Sequence, residues 1–102
     1  NLARLQKDSG QLAQADESFV KAVATQRRLV AAEPKAEDRN RLAHFLGNQG
    51  WHLFWTGRGK QAEPLLAEAR TLADQAVAEH PAVPMYKWTA GFVVRGLGMV
   101  YQ

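Results

Sequence analysis

Three histidines and a glycine-rich turn are the parts of this sequence best suited to chemistry, and their spacing argues against it. His44 and His52 lie eight residues apart, which on a helix is about two turns, roughly 12 Å, too far to share one metal ion. No His-Glu-x-x-His pair occurs. Glu79 and His80 are adjacent and would not face each other on a helix. A histidine just before Pro81 reads more simply as a helix end. Gly57–Arg58–Gly59–Lys60 invites a phosphate-loop reading, but Phe54 stands at the first glycine place and Gln61 follows the lysine where Ser or Thr is needed. Gly91, Gly96 and Gly98 do not make Gly-x-Gly-x-x-Gly, and no strand signal precedes them; close helix packing explains them better. With no cysteine, neither a disulfide nor a thiolate metal site can form. These residues point away from an enzyme and imply no catalytic residue, no cofactor and no metal.

What remains is recognition, and composition narrows it. A chain of 102 residues makes one domain's worth of core. Its hydrophobic fraction of 46% is enough apolar surface to offset the entropy of ordering, which excludes a disordered segment. The net charge of +3 is spread thinly, with basic and acidic residues interleaved as in Lys35, Glu37, Asp38 and Arg39. Nucleic-acid binders gather their cations. Only Arg27–Arg28 and Arg39–Arg41 hint at such a patch, and both read as solvated helix faces, so no nucleic-acid partner is expected. No run approaches the ~18 apolar residues of a membrane span, so no membrane partner is expected either. The missing cysteines fit a reducing compartment, and the expected location is cytoplasmic. The chain begins at Asn1 rather than Met and ends at Tyr101–Gln102 inside an apolar segment, and it reads as a fragment of something longer.

The elements that would position these residues are helices. Strong breakers are few: Gly10, Glu33–Pro34, Gly57–Arg58–Gly59, and His80–Pro81 with Pro84. Between Gln11 and Glu33, Leu12, Ala15, Phe19, Ala22, Val23 and Gln26 recur at steps of three and four, the mark of one helix face. Ala62, Leu66, Ala69, Leu72, Ala73 and Ala76 repeat that pattern between Lys60 and Glu79. Each proline bars the residue before it from the α region, so helices should end near Glu33 and His80. Pro84 is placed to open the last helix, and Pro64 must sit in a first turn or kink its helix. No period-two run and no hairpin dipeptide suggests a strand. The expected fold is all-α, with about five helices joined by short turns and therefore antiparallel neighbours.

The sequence also repeats itself. A shift of 47 residues places Asn1 on Asn48, Gly10 on Gly57, Ala15 on Ala62, Phe19 on Leu66, Ala22 on Ala69 and Pro34 on Pro81. A shift of 48 places Gly50 on Gly98 and begins a third copy. A fixed period in an all-helical chain predicts stacked helical hairpins, an α-solenoid. Residues 1–34 would form a partial first repeat, 35–81 the second, and 82–102 the first helix of a third.

In the second copy, Leu46, Gly50, Leu53, Gly57, Ala62, Leu66 and Ala69 follow the large–glycine–aromatic–small order of the tetratricopeptide repeat. The first copy matches with Leu2–Ala3, Gly10, Ala15, Phe19 and Ala22, and the third with Val94, Leu97–Gly98 and Tyr101. The chain resembles that family over nearly its whole length. Its period exceeds the usual one of about 34 residues, because the second helix of each hairpin continues for about three more turns. In this it is similar to the long-helix arrays of kinesin light chains and of bacterial signalling proteins, some attached to Ser/Thr kinase domains. Gly10 and Gly57 would make the tight turns within hairpins.

The resemblance implies a scaffold or adaptor that holds a protein or peptide on a concave groove lined by the first helix of each repeat. It places His44, Gly47, Asn48, Trp51 and Trp55 toward that groove. Trp51 and Trp55, four apart, share a face and are either anchors for a partner or core fillers. Some members of the family grip a terminal carboxylate with Lys, Arg and Asn. Asn1 and Asn48 match the asparagine places, but His44, Phe92 and Gly96 stand at the basic ones and Arg95 is one residue out of register, so a full clamp is not expected. A second expectation is a self-association or spacer module within a larger protein. The final helix carries Phe92, Val93, Val94, Leu97, Met99, Val100 and Tyr101 with no partner after it, and would form a homo-oligomer. An RNA-binding helical repeat is disfavoured by the long period and the weak charge.

Overall fold

The computed structural model describes the backbone of residues 2–101 and the side chains of residues 10–101. Asn1 lies outside the described residues, and so do the side chains of Leu2 and Ala3. Four α-helices follow one another: α1 (Leu2–Ala32), α2 (Ala36–Trp55), α3 (Gly59–Glu79) and α4 (Pro84–Val100). Among the described residues there is no strand.

The prolines act as expected at two boundaries. Helix α1 stops at Ala32, two residues before Pro34, and Pro84 opens α4 at its first position. Gly57 is the one described residue with a left-handed backbone (φ 79°), and it makes the turn between α2 and α3. Pro64 differs from the expectation. It lies in the second turn of α3, where it removes the bond to the Lys60 carbonyl at an exposed end of the helix.

The count of about five helices gives way to four, because α1 continues through Gly10. Gly10 has no second glycine two residues on, as Gly57 has in Gly59, and a lone glycine in an exposed helix costs only about 1 kcal/mol. No described atom lies within 4 Å of a Cβ built at Gly10.

Each helix packs on its successor, and α2 also packs on α4. Helix α3 shows why. Ala62, Ala69, Ala73 and Ala76 are fully buried along one stripe, so the neighbouring backbones approach closely, and Leu66 fills the space between them. A Cβ added at Gly50 of α2 would meet the Leu66 Cγ at 2.6 Å, and one at Gly96 of α4 would meet its Cδ2 at 3.0 Å. One leucine therefore sits in two glycine sockets and locks three helices together. Leu46 and Val93 complete this core from α2 and α4, with Leu42, Ala43, Leu53 and Leu97 around them. Thr89 is also buried; its hydroxyl donates to the Met85 carbonyl at 3.0 Å, which satisfies it within α4.

Helix α1 is attached differently. Val23 and Val30 reach the core, and polar bonds are added around them. Gln26 donates from Nε2 to the Asp38 carbonyl (3.0 Å), and Arg27 holds Glu68 of α3 through both guanidinium nitrogens. Among the described residues no helix is long and apolar enough to cross a membrane.

Candidate functional site

The packing of α2 on α4 turns their aromatic residues to one side. On α2, His44, Asn48, Trp51 and Trp55 follow one another at steps of four, three and four residues; on α4, Trp88, Phe92 and Arg95 do the same at four and three. Gly47 lets the two stripes meet, since a Cβ there would lie 2.7 Å from the Phe92 ring. The rings form a ladder across both helices. Trp88 stacks on Phe92 with centroids 5.5 Å apart, Phe92 on Trp51 at 6.1 Å, and Trp51 on Trp55 at 6.2 Å, with interplanar angles of 9°, 22° and 18°. His44 packs against Trp88 and Phe92 at 5.9 Å each. Parallel rings at such separations are offset like steps, a favourable arrangement for aromatic pairs.

The ends of the ladder are open. Trp55 is 69% exposed and Trp88 56%, with Met85 at 65% beside it. Trp51 is half-buried between its two neighbours, and its indole Nε1 is buried over Gly96 without a hydrogen-bond partner among the described residues. Beside the Trp88 end lies a cavity of about 650 Å³, lined by Asn40, Arg41, His44, Met85, Tyr86 and Trp88 among others. The Asn40 Oδ1 is buried there with no partner among the described residues.

The five residues singled out from sequence thus lie on these two stripes. His44, Trp51 and Trp55 belong to the ladder. Asn48 is half-buried and Arg95 exposed, and neither makes a side-chain hydrogen bond or ion pair among the described residues. Trp88 escaped the sequence reading, and Phe92 entered it as a residue standing where a cation was wanted and as part of the apolar face of the last helix, not as a partner of Trp51. The signal was present in their spacing of four residues on a helix opened by a proline.

A second cluster also went unseen. Asp16 of α1 accepts a fork of two bonds from Arg58 (2.8 and 2.9 Å) and a third from His52 Nε2 (2.6 Å). The Arg58 pair first, and His52 second, hold the Asp16 carboxyl at about 2, below its ordinary 3.8. Since an ionised carboxylate only accepts, His52 donates from Nε2. This triad joins α1 to α2 and to the turn before α3, and the Phe19 ring packs on His52 at 4.9 Å. It is an anchor, with its groups paired to one another. Among the described residues no three His, Asp or Glu side chains gather at metal-binding distance. No family model, curated protein or solved structure gives a significant match to this chain.

Proposed function

We propose that this chain is a helical-repeat module of the tetratricopeptide type, an α-solenoid segment that holds an extended protein or peptide segment along the groove between α2 and α4. The observation that carries this reading is the aromatic ladder, whose two end tryptophans and adjoining Met85 are left in solvent. Exposed tryptophans on a shaped surface are costly to leave wet and are the side chains that dominate protein interfaces. The adjoining cavity is of a size to take one or more large side chains from the partner. Asn40, Asn48 and Arg95 add polar groups on the same face for the partner's backbone. Platforms that stack nucleic-acid bases pair their aromatics with a cationic groove. Here Arg41, at the cavity, stands 3.6 Å from Glu37, which supports a protein ligand over a nucleic acid.

All three tryptophans of the sequence lie on the ladder, so tryptophan-selective fluorescence reports on this site. The test is capture from lysate by the wild-type chain beside Trp55→Ala/Trp88→Ala, followed by a fluorescence titration with the captured protein. Both rings are more than half exposed, so the melting transition should fall by only the one or two stacked pairs removed, and the variant should still unfold in one cooperative step. A partner kept by wild type and weakened at least tenfold in the variant supports the reading; equal capture by a folded variant refutes it.

A further inference from the structure

We infer that the cavity between the N-terminal halves of α2 and α4 takes a phenol ring, the side chain of a tyrosine in the segment held along the ladder, and that Asn40 selects it. This rests on the groove reading above and gives Asn40 a narrower part in it. Both walls lie inside the chain. Helix α3, which joins them, is seated at Gly50 and Gly96 and contributes none of the lining. The opening therefore belongs to the α2–α4 pair itself.

The stripe of α2 that meets α4 runs Ala36, Asn40, Ala43 and Gly47 at helical steps. Ala36 packs with Tyr86, and a Cβ at Gly47 would touch Phe92, so the helices are in contact on either side of Asn40. Asn40 itself is 5% exposed, yet its Oδ1 is buried without a partner and its amide makes no side-chain hydrogen bond among the described residues. A buried amide left unpaired is destabilising, and an apolar side chain of the same shape would cost less there. What Asn40 offers in return is a polar group in the wall of a cavity of about 650 Å³, whose other surfaces include His44, Met85, Tyr86 and Trp88.

Each feature of the cavity removes a class of ligand. Three rings and a thioether favour a flat aromatic body over a short aliphatic one. Glu37 and Arg41 stand 3.6 Å apart and answer each other, and the Thr89 hydroxyl donates to the Met85 carbonyl, so a charged tip would find no free counter-charge. A bare ring would strip water from the Asn40 amide and leave it unpaired. The tip must therefore be neutral and polar. No internal bond fixes which end of the Asn40 amide faces the ligand. An indole N–H serves only the oxygen, whereas a phenolic hydroxyl both donates and accepts and serves either end. Tyrosine meets all of these conditions.

The experiment is a titration of the full chain with free p-cresol, toluene, benzylamine and benzoate, read by the amide NMR shifts of α2 and α4 and by the Asn40 side-chain NH2 signal. The wild type should bind p-cresol saturably and about tenfold tighter than toluene, the scale of one buried hydrogen bond. The two charged rings should bind more weakly than p-cresol. Asn40→Leu, of similar volume and without the amide, should take p-cresol and toluene about equally. Trp88→Ala, which removes a half-exposed ring from the wall, should weaken both. The wild-type ranking and the loss in Trp88→Ala decide by themselves where Asn40→Leu does not fold. Equal binding of toluene and p-cresol by the wild type overturns the proposal, as do tighter binding of a charged ring and the absence of saturable binding. It is also overturned by shifts confined to residues outside the cavity, by an unchanged preference in Asn40→Leu, or by unchanged affinity in Trp88→Ala. The probes are free molecules, so their failure leaves capture along the ladder untouched, and a failure of capture leaves their ranking as it is.

Discussion

The seam between α2, α3 and α4 and the seam between α1 and α2 solve the same problem with different chemistry. The first is dry and built from size: glycines at 50 and 96, alanines along α3, and Leu66 inserted between them. The second is largely polar: the Asp16 triad, the Gln26 bond to Asp38 and the Arg27–Glu68 pair hold a helix on which Leu12, Val20 and Leu29 stay exposed. Dry packing is cooperative, because the Leu66 methyl groups bear on α2 and α4 at once. Half-exposed ion pairs contribute little each, as water and salt screen them. The comparison implies that α2–α4 melt as one unit and that α1 is the more easily detached.

The largest test of that difference is Leu66→Ala. A fully buried leucine replaced at a site ringed by glycine and alanine leaves a cavity that small neighbours cannot collapse into, and the loss should be about 3–5 kcal/mol. Denaturant unfolding followed by far-ultraviolet circular dichroism checks it. A loss near 1 kcal/mol would mean that the dry seam is not what joins the three helices.

The paired glycines sharpen the point at about half that scale. Gly50→Ala places a methyl group 2.6 Å from the Leu66 Cγ and should destabilise by about 1–3 kcal/mol despite the better helix propensity of alanine. Gly98→Ala, with no described atom within 4 Å of the added Cβ, should stabilise by up to about 1 kcal/mol. The same substitution is thus expected to carry opposite signs at two helical glycines, read by parallel thermal melts at low concentration.

These pairs also show which features the sequence made legible. Prolines at 34 and 84 marked helix limits because their constraint is local, whereas the 48-residue spacing of Gly50 and Gly98 did not reveal that one packs on Leu66 and the other is open. The Trp51–Trp55 step was readable from helical spacing. Its continuation into Phe92 and Trp88 was not, because which face of α4 meets which face of α2 depends on Gly47 and Leu66 together. The Asp16 triad joins residues 36 and 42 positions apart, and no local pattern announces such a pairing. Gly10 was misread for the opposite reason: a local breaker signal was taken without the second glycine that makes Gly57 a turn.

The smallest effect expected on global stability, and the most selective, lies in the acid behaviour of the polar seam. Asp16 is held at about 2 in the folded chain, below the ordinary 3.8, so its ionised form is the one that folding favours. A depressed carboxyl contributes fully above its unfolded pKa and loses that contribution as pH falls through the folded value. Attachment of α1 should therefore be intact above pH 4 and weaken between about pH 4 and 2. Amide hydrogen exchange across α1, compared with α3, reads this directly. Expressed as protection factors, which remove the fall of the intrinsic exchange rate with acid, α1 should lose protection over that window while α3 keeps its own. In Asp16→Asn, which cannot ionise, α1 should exchange faster already at neutral pH, with the Asp16-dependent part of its acid response gone. If α1 and α3 instead lose protection together on acidification, with Asp16→Asn behaving as the wild type, then the two seams form one cooperative unit and Val23 and Val30, rather than the triad, hold α1 in place.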